Sequence, residues 1–256
     1  MNEKELIKYY NKFNEDKRLK TKHGYIEYLT TMKYLKDYLK PNSKILDIGA
    51  GTGAYSIPLF EEGYEIDAVE LVKHNLKVIE KKNNNIKCFN LNATNLSKIK
   101  DSTYDITLLF GPMYHLITKE EKIKALNEAK RVTKKNGLIF ISYCMNEYAL
   151  ITHGFIENEL LNELDKIDNN YKIKSNKDDL YSFVRLEDID ELNELVNLKR
   201  IKIISQDGPS EYLKKVINKM DDKTYNKFID YHFKTCEDIN LLGASRHLLD
   251  ILKNTK

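Results

Sequence analysis

The stretch ILDIGAGTG, at positions 45–53, constrains the fold more than any other part of the sequence. An apolar strand pattern runs directly into a loop that holds three of the chain's 10 glycines, and a helical pattern follows. Glycine lets the backbone turn sharply and lie against a ligand with no Cβ in between. Together these features predict a ligand-binding loop between a buried strand and a helix. Taken alone, the spacing Gly49-x-Gly51-x-x-Ala54 also satisfies the dinucleotide-binding pattern.

Strand and helix patterns alternate along the first 145 residues. This alternation favours a parallel sheet with helices on both faces. After residue 145 the regularity loosens: 146–168 has a helical pattern, 180–184 has the pattern of a short strand, and 245–252 fits a strand or a helix almost equally well. The other predicted strands are 44–48, 64–70, 86–91, 104–110, 138–143 and 199–205, and the main predicted helices are 54–62, 72–82, 118–132 and 186–198.

Composition excludes several classes of protein. The formal net charge is +3, and lysines alternate with acids, which argues against a nucleic-acid partner. No apolar run reaches the roughly 18 residues of a membrane span, and the charged start lacks the apolar core of a signal peptide. Three well-separated cysteines (Cys88, Cys144 and Cys236) and no CxxC pair suit free thiols in a cytoplasmic protein without a bound metal.

Two acids flank the glycine loop in the predicted sheet. Asp47 precedes Gly49 by two residues, and Glu70 ends the second strand, 19 residues after Gly51. Open α/β sheets bind ligands at the carboxyl ends of their strands, where an acid can accept hydrogen bonds from both hydroxyls of a ribose. We therefore expect Glu70 to bind the sugar of an adenosine-containing cofactor.

With Asp47 before it and Gly53 completing a GxGxG spacing, this stretch closely resembles the first motif of class I S-adenosylmethionine (SAM) methyltransferases. The resemblance implies that the loop wraps the methionine end of SAM and that Asp47 holds its amino group. It also implies that the turn at Asn92 touches the adenine, although the family often has Asp there. The predicted SAM-binding residues are Tyr10, Asp47, Gly49, Ala50, Gly51, Gly53, Glu70, Leu71, Asn92, Ala93, Thr94, Phe110 and Gly111.

The segment GPMYHL, at 111–116, resembles a GPLYHL-type segment of one subgroup of these enzymes. In that subgroup the segment lies where the sulfonium methyl meets its acceptor, so Tyr114 and His115 are the predicted catalytic residues. His115 could act as a general base, since the ordinary pKa of histidine lies near neutral pH. The alternative is that both side chains only pack and orient the cofactor. Tyr10 and Phe13 are candidates for a lid, or for core residues.

The resemblance implies an α/β fold with an open, doubly wound, mostly parallel seven-stranded sheet. It favours a strand for 245–252. The expected parts are a helical lid (1–40), a Rossmann-like cofactor core (41–145), a helical cap inserted after strand 5 that carries the sixth strand (146–240) and a closing strand (241–256). The sequence does not indicate an oligomeric state.

The predicted reaction is an in-line displacement, in which a small-molecule or peptide acceptor takes the methyl group from SAM. Holding two reactants in line can supply about 7–11 kcal/mol of the barrier reduction, so positioning residues are expected rather than a catalytic triad. A nucleic-acid methyltransferase of the same fold is one alternative, although the (Asp/Asn)-Pro-Pro-(Tyr/Phe) segment of base-amine methylation is absent. A non-catalytic SAM-binding protein and a dinucleotide-dependent oxidoreductase are the others.

Overall fold

A computed structural model describes residues 3–11 and 15–255, without the side chains of residues 15 and 16. The strands are β1 Lys44–Ile48, β2 Glu65–Val69, β3 Lys87–Phe89, β4 Tyr104–Leu109, β5 Thr133–Cys144, β6 Lys199–Ser205 and β7 His247–Lys253. The α-helices are α1 Glu3–Tyr10, α2 Glu15–Leu19, α3 Lys22–Tyr38, α4 Ser56–Glu61, α5 Lys73–Lys82, α6 Lys119–Val132, α7 Asn146–Ala149, α8 Leu186–Val196, α9 Lys214–Ile217 and α10 Asp222–Thr235.

The strands form one seven-stranded sheet in the order β3-β2-β1-β4-β5-β7-β6. Strand β7 runs antiparallel to both of its neighbours, and the other pairs are parallel. This confirms the predicted open, mostly parallel seven-stranded sheet, and it confirms that the last element is a strand. The strand order reverses between β1 and β4, and such a switch point opens a crevice at the carboxyl ends of the strands.

Helices cover both faces of the sheet, as the alternating pattern predicts. On β1, Leu46 and Ile48 pack in the apolar layer with helices α6 and α8, whereas Ile45 packs in the opposite layer with α3, α4 and α5. Because successive side chains of a strand point to opposite faces, a strand buried on both faces is mostly apolar. The two layers hold the strand ends of the crevice in place.

Local signals in the sequence explain where several helices begin and end. Thr118 caps α6 by accepting a hydrogen bond from the Glu121 N–H (3.2 Å), and the Glu121 carboxylate accepts one from the Thr118 N–H (3.2 Å). This is the predicted capping box. Helix α8 ends at Asn197, whose φ of 51° is left-handed, a conformation that asparagine tolerates better than most residues.

The segment after β5 departs from the prediction. A π-helical turn at Leu150–Ile156 continues α7, and two short 3-10 turns follow in place of one long helix. The strand predicted at 180–184 is wrong, because Val184 makes only an isolated bridge with Met145. Its neighbour Ser182 instead donates its N–H to the Tyr114 carbonyl (2.7 Å), which ties the segment to the loop after β4.

None of the helices in the described part of the chain has both the length and the apolar character needed to cross a bilayer.

Candidate active site

A cleft opens at the switch point between β1 and β4, and most of the predicted site residues line it. Two do not: Gly53 and Thr94 lie outside the lining. The predicted residues that line the cleft are Tyr10, Asp47, Gly49, Ala50, Gly51, Glu70, Leu71, Asn92, Ala93, Phe110, Gly111, Tyr114 and His115.

The glycine loop lines the cleft with backbone atoms that carry no side chain. Gly49 has a φ of +79°, and a Cβ there would lie 2.5 Å from Cδ of Pro112, so the loops after β1 and β4 can approach only with glycine at this position. Gly51 has a φ of +53°, and a Cβ there would have no neighbour within 4 Å. The backbone at Gly51 therefore faces open space inside the cleft. At Gly53 a Cβ would crowd Ile57 at 2.8 Å, which makes that glycine a packing residue of the loop.

Asp47 lies at the end of β1 with its side chain buried. Its carboxylate accepts a hydrogen bond from the Ser56 hydroxyl at 2.5 Å. Burial raises the pKa of Asp47 to about 6, the Ser56 hydrogen bond opposes that rise, and the nearby Glu70 adds to it. A buried carboxylate that is costly to ionise favours a cationic ligand, because a positive charge offsets the lost hydration.

Glu70 follows β2 and is held by backbone groups. Its two carboxylate oxygens accept hydrogen bonds from the N–H groups of Gly51 and Val72, both at 2.8 Å. Burial raises its pKa, and these backbone bonds oppose the rise. Each carboxylate oxygen can accept more than one hydrogen bond, so a rigidly held Glu70 can still accept two hydroxyl groups of a ligand.

The turn after β3 connects the cleft to the N-terminal helix. The Asn92 side-chain oxygen accepts hydrogen bonds from the N–H (3.0 Å) and the hydroxyl (2.9 Å) of Thr94. The Asn92 amide donates to the carboxylate of Glu3 in α1 at 2.6 Å. Thr94 thus shapes the turn, and Asn92 joins it to α1.

His115 is buried, and its two ring nitrogens have different partners. Nδ1 lies 2.8 Å from the Leu180 carbonyl, which can only accept, so Nδ1 carries the proton in the neutral ring. Nε2 then accepts a hydrogen bond from the Tyr10 hydroxyl at 2.7 Å. Burial lowers the pKa of His115 to about 4, although the Leu180 bond opposes that shift. His115 is therefore neutral at physiological pH, with its basic nitrogen bonded to Tyr10.

Helix α1 lies over the cleft and is bonded at both of its ends. Glu3 bonds to Asn92 at the β3 side, and Tyr10 bonds to His115 at the β4 side. Between them, Leu6 is buried and lines the cleft. Phe13, the other lid candidate, lies outside the described residues.

Sequence reasoning missed a buried ionic cluster beside the cleft. Glu27 lines the cleft and forms two hydrogen bonds with Arg18, at 2.7 and 3.1 Å. Behind it, Nδ1 of His247 lies 2.7 Å from the Asp207 carboxylate and 3.4 Å from that of Glu27. One signal was present: Glu27 is a charged residue on the same helical face as the buried Thr31 and Tyr34.

The cluster also has a geometry that could suit a metal ion. One atom each from Glu27, Asp207 and His247 lies within 4.8 Å of the other two. However, the Glu27 carboxylate already pairs with Arg18, and the Asp207 carboxylate also accepts hydrogen bonds from Ser245 (2.7 Å) and from the His247 backbone (2.9 Å). An ion-pair network explains these contacts without a metal.

The cleft suits SAM in three respects. The open backbone at Gly51 leaves space for a ligand, buried Asp47 offers an acceptor to a cationic group, and Glu70 offers one to sugar hydroxyls. SAM carries an amino group, a positively charged sulfur and a ribose, so the hydrogen-bond acceptors and negative charge of the cleft match its chemistry.

Comparisons with known proteins find methyltransferases. Residues 46–141 match the family model described as "Methyltransferase domain". The chain is 26% identical to a ubiquinone biosynthesis O-methyltransferase of Rickettsia akari, over 95% of this chain and 96% of that protein. It is 31% identical to a demethylmenaquinone methyltransferase of Paenarthrobacter aurescens, but over only 55% of this chain and 53% of that protein.

Solved structures show the same fold. A SAM-dependent methyltransferase from Methanosarcina mazei superposes with a TM-score of 0.59 at 13% identity, covering 86% of this chain and 96% of that one. At that identity the likeness concerns the fold alone, whereas the sequence match over 46–141 includes the glycine loop and both carboxylates. The chain therefore carries a methyltransferase domain on a class I fold, and it is a SAM-dependent methyltransferase.

Proposed function

We propose that this methyltransferase acts on a small-molecule acceptor. The observation that carries the proposal is the enclosure of the cleft: α1 lies over it and bonds to it at Asn92 and at His115. An enclosed cleft favours an acceptor that enters whole, and it disfavours a base within a nucleic-acid duplex, which must be extruded to be reached. The modest net charge of +3 agrees with this.

Within this proposal, the buried carboxylates hold the cofactor. SAM supplies an activated methyl group on a positively charged sulfur. Asp47 accepts from its amino group, Glu70 from its ribose hydroxyls, and the backbone at Gly51 lies against it. Asn92 and Ala93 form the adenine side, and Phe110 and Gly111 lie next to the transferred methyl. Helix α1 then serves as a lid, and the segment after β5 serves as a cap on the acceptor side.

We propose a positioning role for His115 rather than that of a base. Two observations support this: its Nε2 is bonded to Tyr10, and burial lowers its pKa to about 4. A His115→Ala variant separates the two roles. A positioning residue predicts weaker retention of SAM with an unchanged pH profile of turnover, whereas a base predicts a changed pH profile with intact cofactor affinity.

An aromatic hydroxyl compound is the acceptor class to test first. Among the sequence relatives, one is named a ubiquinone biosynthesis O-methyltransferase and another a demethylmenaquinone methyltransferase. In this chain, the Tyr181 ring lies 5.0 Å from the His115 ring and 6.1 Å from that of Tyr114, which makes one wall of the methyl-transfer end aromatic. Aromatic side chains pair favourably with a planar ring.

A labelled-methyl transfer assay tests the proposal directly. The panel holds catechols and hydroquinones, primary amines, a lysine peptide and bulk tRNA. We expect transfer to a small molecule, and none with a Gly51→Val variant, whose branched side chain would enter the cleft. A Gly63→Val variant is the matched control, because Gly63 also has a positive φ (+95°) and no neighbour within 4 Å of a Cβ, but lies outside the lining of the cleft. Transfer to tRNA alone would contradict the proposal.

A further inference from the structure

A second cleft lies next to the proposed methyl-transfer end, in the irregular segment after β5. One side is formed by the π-helical turn Leu150–Ile156, and the other by the chain around residues 160–183. Its apolar lining consists of Leu150, Leu160, Ile167, Ile173, Tyr181 and Phe183. Except for Leu150, these side chains are only partly buried.

The two clefts lie side by side, although no residue of the described chain lines both. Tyr181 lines the second cleft, and its ring also lies 5.0 Å from His115 and 6.2 Å from Tyr9 of the lid helix. The preceding carbonyl, at Leu180, accepts the His115 Nδ1 hydrogen bond. The second cleft therefore begins beside the His115 end of the first, with the Tyr181 side chain between them.

Most of the charged side chains around the second cleft are paired with one another, and Glu159 accepts a hydrogen bond from the Asn162 amide at 2.8 Å. Glu157 lies 2.7 Å from His153, and Lys166 lies 2.7 Å from Glu163 and 3.6 Å from Asp179. Acids outnumber lysines in this set, so an anionic ligand would be repelled. What remains to attract a ligand is the uncharged apolar lining.

We propose that the second cleft binds an uncharged, apolar part of the methyl acceptor. The acceptor class is then an amphipathic small molecule with its methylated polar group at His115 and a hydrocarbon portion beyond Tyr181. This inference rests on the proposed function, since it assumes that the cofactor cleft holds SAM. Each methylene buried in such a cleft should strengthen binding by about fourfold.

Gly154 allows the second cleft to be filled without touching the first. A Cβ at this position would lie 3.2 Å from Cδ1 of Leu160 and 3.6 Å from Cδ1 of Leu150, so a Leu side chain there would occupy the space between them. Gly243→Leu is the matched control, because a Cβ there meets nothing within 4 Å and the residue lies outside this cleft. Ser175→Leu, also in the lining, is a second filling variant should Gly154→Leu not fold.

The test uses the uncharged dye N-phenyl-1-naphthylamine, with S-adenosylhomocysteine (SAH) at saturation so that the cofactor cleft is closed to it. We expect the wild type and Gly243→Leu to bind the dye equally, and Gly154→Leu to bind it at least about tenfold more weakly, as burial of two or more methylenes implies. In the wild type, 4-alkylphenols should displace the dye about fourfold more tightly per added methylene.

The outcomes separate this inference from the proposed function. Failure of the wild type to bind SAH would contradict the proposed function. Intact SAH binding with no dye binding, or with equal dye binding by both glycine variants, would overturn the second-cleft inference alone. A third outcome is that all variants bind phosphatidylcholine vesicles and that alkyl length has no effect on dye displacement. This outcome would assign the apolar side chains to a membrane surface and would also overturn the second-cleft inference.

Discussion

Glu70 is buried at the centre of the cleft, and both of its oxygens are fixed by backbone N–H groups. If it binds the ribose, Glu70→Gln should weaken SAH binding by about 1.5–3 kcal/mol, the range for hydrogen bonds to a charged group. Isothermal titration calorimetry measures this, with the exposed Glu80→Gln as control. A loss below about 0.5 kcal/mol would mean that Glu70 does not bind the sugar.

If Asp47 holds the amino group of the cofactor, cofactor binding should depend on pH. Its pKa in the folded protein is about 6, above the ordinary value of 3.8, because burial disfavours the charged form. A cationic amino group needs the ionised carboxylate, so SAH affinity should fall as the pH drops below about 6, by about tenfold per pH unit. Calorimetry between about pH 5 and pH 7.5 tests this, and Asp47→Asn should bind weakly with no such slope. An Asp47→Asn variant that keeps the wild-type slope would exclude Asp47 as the titrating group.

The stability of the protein without a ligand should depend on pH in the opposite direction from cofactor binding. At a pH between 3.8, the ordinary pKa of aspartate, and about 6, the raised pKa of Asp47, the folded protein binds more protons at Asp47 than the unfolded chain does. The contribution of this residue to the free energy of unfolding therefore falls as the pH rises through that window. A bound cationic group at Asp47 would remove the effect.

Helix α1 is held over the cleft by the hydrogen bond between Tyr10 and His115, and a single substitution can remove that bond. Tyr10→Phe removes only the hydroxyl that donates to His115. We expect faster SAH release in Tyr10→Phe and in His115→Ala. A double-mutant cycle should give a coupling of about 0.5–1.5 kcal/mol in the SAH binding free energy, as for one hydrogen bond. Tyr25→Phe, at an exposed tyrosine on α3, is the control. Additive effects of the two changes would show that the bond does not hold the lid.

The regular elements were predictable from local patterns. Strands β1 and β6 have the predicted bounds, 44–48 and 199–205. Strand β1 is buried in the parallel part of the sheet and shows a compact apolar run, whereas the antiparallel edge strand β6 is marked by Ile201, Ile203 and Ile204. The segment 146–185 was not predictable, because its backbone bonds go to distant parts of the chain. The N–H of Ser182 bonds to Tyr114, and that of Val184 bonds to Cys144. No local pattern encodes such partners.

The same contrast between local sequence patterns and tertiary contacts applies to the residues of the site. Asp47, Gly51 and Glu70 were identifiable, because strand, loop and spacing together place them at one edge of a parallel sheet. Glu27, on α3, comes to the cleft only through tertiary packing, and so does Tyr181 of the irregular segment, which packs against His115. Gly53 and Thr94 belong to the right loops but support them from outside the cleft.

For the whole molecule, the ionic cluster joins α3 to the β6–β7 edge of the sheet. Burial alone would raise the pKa of Asp207, but the His247 charge and the hydrogen bonds to this carboxylate lower it overall. Removing one partner of a buried pair leaves a charge uncompensated, so Asp207→Asn should lower the free energy of unfolding by about 3–5 kcal/mol at neutral pH.

Urea unfolding measures this change. The control is Asp230→Asn, at an exposed i,i+4 pair with Lys234, and it should stay within about 0.5 kcal/mol of the wild type. Because the lowered pKa of Asp207 contributes stability only while the carboxylate is ionised, the difference between Asp207→Asn and the wild type should shrink as the pH falls toward and below about 4. A neutral-pH loss below about 1 kcal/mol would show that the cluster does not stabilise the fold.

A crystal structure of the protein with SAH tests the central claim most directly. The account predicts the ribose hydroxyls within about 3.2 Å of the Glu70 carboxylate, the amino group of SAH at Asp47, and ligand atoms in contact with the backbone of Gly51. SAH bound elsewhere, or Glu70 turned away from the ligand toward solvent, would contradict it.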